Sequence, residues 1–479
     1  MTRIDELSAV ELGQELRRRS LGAAEVAEHY LRRIDESPVR DALFTAVTAE
    51  RALERARALD AQGPTAAMLW GIPLADKDLV NRRGVPTRAG SAATPTTPAE
   101  RSDLGVEVLD RAGAVSLGKT ATPEFGLHAY TMSDIQPPAP VPWLTGLNAG
   151  GSSGGAAAAV AARLLPFASG SDGGGSIRIP AAATGLIGLK PTRGLVPGGD
   201  GVGSLGGLAV QGPLARTAED AALLLEAMLD RERHRGVTPH DTSLRSPEPG
   251  DLLSAAVRGA GRLRIGMTCT SPWDDWCDID VAPEAVAAFE LAAAELAAVG
   301  HELEELPWRP SAGYAEHFRV IWRAGIGSVP FGEGQRELLQ PITRQIWEAG
   351  RSMRAADVVA ALAGLTAFER ATVAAFAPYD AVLTPAMAMT PRPHDWYDQD
   401  DMEVNFRQQV QYTPFTSFVN VAGLPAISLP VAESADGVPM AAHLIGRPGG
   451  EAALLGAAAQ LQRRLRWHER RSAAAPRRP

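Results

Sequence analysis

Apolar positions recur at helical spacing from the start of the chain: Leu12, Leu16, Val26, Tyr30, Leu31 and Ile34 mark one face across the first sixty residues. Ser8-Ala9-Val10-Glu11 ahead of that face is a capping box, serine and glutamate each positioned to satisfy a backbone N–H that the first turn leaves free. The period then shortens. Residues 70–80 read as a strand and turn in which Lys77 stands among Leu74, Ala75, Leu79 and Val80. A helix over 104–112 is ended by Gly113, and 114–117 reads as a buried strand. Thr217-Ala218-Glu219-Asp220 caps a helix over 221–229, and residues 231–261, polar and proline-bearing, read as a surface connection. Strands are expected at 263–267, 381–385, 426–430 and 441–445, with helices at 283–299 and 451–465. Strands alternating with helices predict an α/β protein: a single large domain whose central β-sheet is mixed, mostly parallel and flanked by helices.

Composition narrows the function more than the fold. The chain has 479 residues, for which length alone would allow about three domains, yet no linker divides it. Net charge is −9 with both signs interspersed, which argues against nucleic acid as a partner. The Arg-rich end, 463–478, reads as a solvated tail. Cys269 and Cys277 suit a reducing compartment and lack metal-ligand company, so neither a disulfide nor zinc is expected. Residues 1–6 carry no apolar signal core, and no uninterrupted run approaches the roughly eighteen apolar residues of a membrane span. A cytoplasmic protein without membrane partners is expected.

The densest candidate chemistry lies in residues 150–193. Gly150-Gly151-Ser152-Ser153-Gly154-Gly155 and Gly173-Gly174-Gly175-Ser176 flank an alanine-rich run, 156–162, of high helix propensity. A serine placed after consecutive glycines can be ringed by exposed backbone N–H groups, which is oxyanion-hole chemistry. Two other motifs compete. Gly113 to Thr120 satisfies the phosphate-loop pattern, but its variable positions look like a strand, and Pro123 disfavours a helix opening at Lys119. Gly150 to Gly154 matches the nucleophile elbow of α/β-hydrolases, but a proline-rich loop precedes it where a strand is needed. His394, His443 and His468 follow late enough to complete a triad, and none stands in a signature context. Without histidine, Ser176 needs another base, and a lysine can serve if burial lowers its pKa. Bringing a lysine from about 10.4 to neutrality opposes the ammonium form by about 4 kcal/mol. Lys77, inside its apolar run, is the candidate.

With Lys77, Ser152 and Ser176 in view, the chain resembles the amidase signature family, enzymes that cleave carboxamides with a Ser-Ser-Lys triad. The likeness runs from the N-terminal helices to Ile445-Gly446-Arg447-Pro448 and is densest at 71–78, 117–125 and 150–193. It implies one domain over 1–479, with N-terminal helices (1–65), a catalytic core (66–215), a variable helical region (306–378), and the rest of the sheet with the last helix (379–465). Carried onto matching positions, it makes Ser176 the acylated nucleophile, Ser152 a bridging serine behind a cis peptide bond, and Lys77 the base. The backbone N–H groups of Gly173, Gly174, Gly175 and Ser176 become the oxyanion hole, and Ser153, Asp172 and Arg178 support the loop. No cofactor is implied. Departures include Gly173, Ala156, Ala183-Thr184-Gly185 after the nucleophile, and a loop at 132–145 that keeps only Pro142-Trp143 of the family's pattern.

The expected partner is a small-molecule amide, and a homodimer is compatible with the resemblance. Aromatic pocket candidates are Phe125, Trp143 and Trp322, together with Trp308, Tyr314, Phe318 and Phe331. An amidotransferase component of the same family is the nearest alternative. A Ser-His-Asp hydrolase, a nucleotide-binding protein using Lys119 and a non-catalytic binding protein are the others.

Overall fold

The chain is described here by a computed structural model, covering residues 3–197, 205–229 and 247–470. Thirteen strands are assigned among these residues: β1 (Phe44–Val47), β2 (Pro73–Lys77), β3 (Val115–Thr120), β4 (Pro140–Val141), β5 (Leu144–Asn148), β6 (Phe167–Asp172), β7 (Ile187–Lys190), β8 (Val210–Ala215), β9 (Arg264–Met267), β10 (Glu302–Glu305), β11 (Ala381–Pro385), β12 (Ala426–Glu433) and β13 (Pro439–Gly446). Eight form one sheet in the order β10-β9-β11-β13-β12-β7-β8-β6, three a sheet ordered β1-β3-β2, and β4 pairs with β5. The sheet is mixed and flanked by helices, as expected, but it is not mostly parallel. Only β10–β9 and β9–β11 run parallel, while β11–β13, β13–β12, β12–β7, β7–β8 and β8–β6 are antiparallel. The β12–β13 hairpin shows the reason. It turns at Gly437, φ +76°, and a short turn can join only antiparallel neighbours, whereas parallel ones need a long crossover.

Both capping motifs are formed. Ser8 and Glu11 exchange the capping-box bonds at the head of helix Ala9–Arg18, and Thr217 Oγ1 accepts from Asp220 N at the head of Ala218–Met228. Strands β1, β6, β7, β8 and β10 carry weaker sequence signals. β6 (FASGSD) and β8 (VQGPLA) are buried on nearly every residue and contain glycine or proline, so neither alternates. β10, Glu-Leu-Glu-Glu, is a mostly polar edge strand. Helix Asp251–Arg258 lies within the stretch read as a connection, of which 231–246 falls outside the described residues. Of the Arg-rich end, Arg463 and Arg464 belong to helix Glu451–Leu465, Arg463 donating to Ala256 O and Arg464 pairing with Glu295; 471–479 lie outside the description.

Helices fill the region 306–378: Tyr314–Gly327, Glu333–Glu337, Pro341–Arg351 and Ala355–Phe376. The last is long and apolar enough, by length and composition, to cross a bilayer, although Asp357 and Glu369 interrupt it. It buries Ala361, Leu365, Phe368, Thr372 and Phe376 against the domain, and its Glu369 pairs with Arg193.

The phosphate-loop pattern resolves into β3. Lys119 is fully buried, ion-paired with Asp78 at 2.9 Å and donating to Val80 O at 2.8 Å. Gly118, at φ +155°, belongs to the β1 crossing, where a Cβ would collide with Ala46 O. Gly118→Ala should therefore destabilise the fold by about 2 kcal/mol or more. Denaturant unfolding checks this, and a loss within about 0.5 kcal/mol would contradict the packing described.

Candidate active site

Two strand ends and two glycine turns converge. β2 ends on Lys77, and β6, which packs beside it, ends on Ser171 and Asp172. Between β6 and helix Arg178–Thr184 lies the turn Gly173 to Ser176. The other turn, Gly150 to Ser153, leads into helix Gly154–Ala161, buried on almost every side. The peptide bond between Gly151 and Ser152 is cis. Gly151 is required by close approach, since a Cβ there would stand 2.5 Å from Tyr130 O and 2.7 Å from His128 O. Asn148 Oδ1 accepts from Gly150 N (2.9 Å) and Thr131 N (3.1 Å), and Thr131 Oγ1 donates to Gly150 O at 2.8 Å. Ser153 N donates to Ser176 O at 3.1 Å, which ties the two turns together.

Lys77 is buried, and its Nζ lies 2.7 Å from Ser152 Oγ, 3.0 Å from Ser171 Oγ and 3.3 Å from Ser171 O. Burial lowers its pKa to about 7, with Asp172 acting in the opposite direction. A neutral lysine has two N–H groups and one lone pair. Two of the contacts offer acceptors on Ser171, and the third offers the Ser152 O–H as donor to the lone pair, so the three neighbours match the neutral amine.

Asp172 shapes the nucleophile turn. Its carboxylate accepts from Gly175 N (2.6 Å), Ile177 N (3.1 Å), Asn420 Nδ2 (2.9 Å), and Arg178 Nε and Nη2 (both 2.9 Å). Burial would raise this carboxyl's pKa, but Arg178, with Lys190 and Asn420, holds it well below the usual carboxylate range. Arg178 uses all five of its N–H groups: two on Asp172, and one each on Asn420 Oδ1, Thr416 O and His443 Nε2. That last bond requires His443 Nε2 to be unprotonated, and burial together with Arg178 keeps the imidazole neutral. Its Nδ1–H then donates to Thr384 Oγ1 at 3.1 Å.

This network corrects one expectation. The Gly175 N–H is committed to Asp172 and does not face the nucleophile, whereas those of Gly173, Gly174 and Ser176 have no hydrogen-bond partner among the described residues. Ser153 Oγ donates to Ser171 O at 3.4 Å.

Ser176 lines a cleft whose other walls are Leu127, Ile179, Trp273, Phe318, Trp322, Phe406 and Val410, with the polar side chains of His128, Gln409, Thr413 and Ser417. Of the pocket candidates, Trp322 and Phe318 are therefore in place. Both rings lie against the glycine turn, where a Cβ at Gly173 or Gly174 would meet Trp322 or Phe318 at an ordinary contact distance of 3.6 Å. Trp143 is not in the cleft: it sits at the β4–β5 turn and donates to Gly437 O. Phe125 packs away from it on Phe331, ring centroids 5.2 Å apart. Trp308 lies in a core cluster against Phe376 and Phe418. Tyr314 is buried behind the cleft, its hydroxyl 2.8 Å from Ser417 Oγ.

The histidine that reaches the cleft, His128, is one that motif order does not suggest. Burial lowers its pKa to about 4, and it stacks on Tyr130 with Gln409 beside it rather than a carboxylate. Asn148, Thr416, Asn420 and His443 also shape the site. Their partners are mostly distant in sequence, so no local spacing marks them. Among the described residues no group of three His, Cys, Asp or Glu side chains is placed to hold a metal ion.

The model of the Amidase family matches residues 25–455. The amidase AmiB2 of Mycobacterium tuberculosis is 35% identical over 458 residues, covering 94% of this chain and 95% of that protein. A glutamyl-tRNA(Gln) amidotransferase chain of Azotobacter vinelandii is 34% identical over 496 residues, covering 97% and 98%. The solved structure of a 6-aminohexanoate cyclic dimer hydrolase in complex with its substrate superposes with a TM-score of 0.85 at 26% identity, covering 97% of this chain and 98% of the other. The chain belongs to the amidase family, and its class of reaction is amide hydrolysis.

Arg178→Met would leave Asp172 buried without its cation, and should cost about 3–5 kcal/mol of stability by denaturant unfolding. The pair depresses the Asp172 carboxyl in the folded state, so its contribution is complete above about pH 4 and is lost as pH falls further. The variant should therefore show a shallower acid limb than the wild type. Equal stability of the two proteins at pH 7 would contradict this account.

Proposed function

We propose that this enzyme hydrolyses a carboxamide through an acyl-enzyme on Ser176, with Ser152 and Lys77 as the proton relay. The observation that carries the reading is the Lys77 amine, buried, 2.7 Å from Ser152 Oγ and flanked otherwise by acceptors of Ser171. As Ser176 Oγ attacks the amide carbon, its proton passes to Ser152, and the Ser152 proton passes to Lys77. The carbonyl oxygen gains negative charge and is met by the N–H groups of Gly173, Gly174 and Ser176. The relay then runs backwards, protonating the leaving nitrogen as the C–N bond breaks. Ammonia or an amine departs and Ser176 carries an ester. Water attacks that ester by the same route, releasing the carboxylate and restoring Ser176.

Ser152 in this scheme exchanges one proton for another and never bonds carbon. Its position at the centre of an elbow-like motif reflects the turn that presents its hydroxyl to Lys77.

Three outcomes follow from these roles. A fluorophosphonate should add to Ser176 in the native protein, and Ser176→Ala should lose both the adduct and at least about 10³-fold in kcat. The Lys77 base is active when neutral, so kcat/KM should fall tenfold per pH unit below about 7 and level off above it. Lys77→Met should abolish that limb along with most of the activity. Intact amide turnover in Ser176→Ala would overturn the assignment of the nucleophile.

A further inference from the structure

A second, smaller hollow adjoins the cleft. Leu127, His128, Trp322, Phe406 and Gln409 line both spaces and form their common wall. The two spaces differ in charge. The part holding Ser176 is lined by no Asp, Glu, Lys or Arg, and its histidine is neutral. The second hollow is lined by Arg319 and Arg323. Both stand on helix Tyr314–Gly327, each directly after an aromatic residue, Phe318 or Trp322, that faces the nucleophile. One helix thus presents an apolar wall and, a residue further round, a cationic one.

The cations are incompletely balanced. Arg319 and Arg323 both donate to Glu403, so two guanidiniums share one carboxylate. The Glu403 side chain is 44% exposed, against 21% and 19% for the arginines, so it lies on their solvent side and is not part of the hollow's lining. Arg407 adds a third cation: its guanidinium and that of Arg319 lie over the Trp276 ring, 4.8 and 4.7 Å from the centroid. A guanidinium offers a planar fork that fits a carboxylate, and it does so most strongly where water is scarce.

We propose that this hollow binds a carboxylate carried by the substrate. The amide cleaved then has an aromatic or branched apolar body beside Trp273, Phe318 and Trp322, and an anionic end on the limb that runs past Trp322 to Arg319 and Arg323. Glu403 is the internal counter-ion that the substrate's carboxylate joins. This assignment of substrate class rests on the amidase reading of Ser176.

The test uses the full chain and a matched series of arylalkyl carboxamides whose far end is a carboxylate, a neutral carboxamide or an ammonium group, placed on the acyl or the amine half. In one of the two placements, kcat/KM should favour the carboxylate over the neutral compound by roughly tenfold, mainly through KM, with the ammonium compound poorest. Arg323→Met should bring the ratio to within about twofold, and Glu403→Gln should raise it. A neutral or cationic preference in both placements, or a ratio unchanged in Arg323→Met, overturns the proposal. Fluorophosphonate labelling of Ser176 is followed in each variant as an independent check on the nucleophile. If Ser176 labels but no amide in the series turns over, the carboxylate compounds must protect Ser176 from labelling better than the neutral ones, and equal protection overturns the site. If Ser176 does not label, the amidase reading fails separately, and the same ratio is then required of binding affinities measured by calorimetry.

Discussion

An amine withdrawn from water, with no carboxylate in contact with it, is the constraint on which the site depends. Among the described residues Lys77 has only serine groups within hydrogen-bonding distance, and its loss of hydration favours the neutral form. The carboxylate acting on it is that of Asp172, whose oxygens are occupied by Arg178, Asn420 and the backbone of the nucleophile turn. Arg178 therefore has two effects. It fixes the turn that carries Ser176, and it balances the charge that would otherwise draw a proton onto Lys77.

The fold supplies this arrangement by bringing strand ends together. β2 delivers Lys77 and β6 delivers Ser171 and Asp172, while β13 and helix Ser417–Val421 bring His443 and Asn420 up from behind. The chain of bonds from Thr384 through His443, Arg178 and Asp172 to Gly175 links the middle of the large sheet to the nucleophile turn. Substitutions on β11 or β13 can thus reach the chemistry without touching substrate. The cleft is built separately, largely from helix Tyr314–Gly327 and the segment around 406–417, so its specificity can vary while the relay stays fixed.

The relay residues were legible because they stand in short segments of unusual composition. Two glycine-serine turns around an alanine run, and a lysine inside an apolar run, already restrict the chemistry. Helices with caps, such as Ala9–Arg18 and Ala218–Met228, were legible for the same reason: their signals are local. Strand direction was not. Alternating strands and helices suggest crossovers, but which strands become neighbours is settled by long-range packing, and here β12 closes back on β13 and β7 instead. The commitment of Gly175 N–H to Asp172 was equally hidden, since every glycine in the turn looks alike as a letter. Trp143 illustrates the converse. Its motif-like neighbour Pro142 suggested a place by the substrate, and the β4–β5 turn carries it to Gly437.

The claim at the centre is that Lys77 is a neutral amine at the pH where the enzyme works. Its proton can be followed directly by NMR of 15Nζ- and 13Cε-labelled lysine in the native protein, with Lys77→Met supplying the assignment. A midpoint near 7 is the predicted result. A Lys77 that stays protonated up to its ordinary value of about 10.4 would contradict the relay.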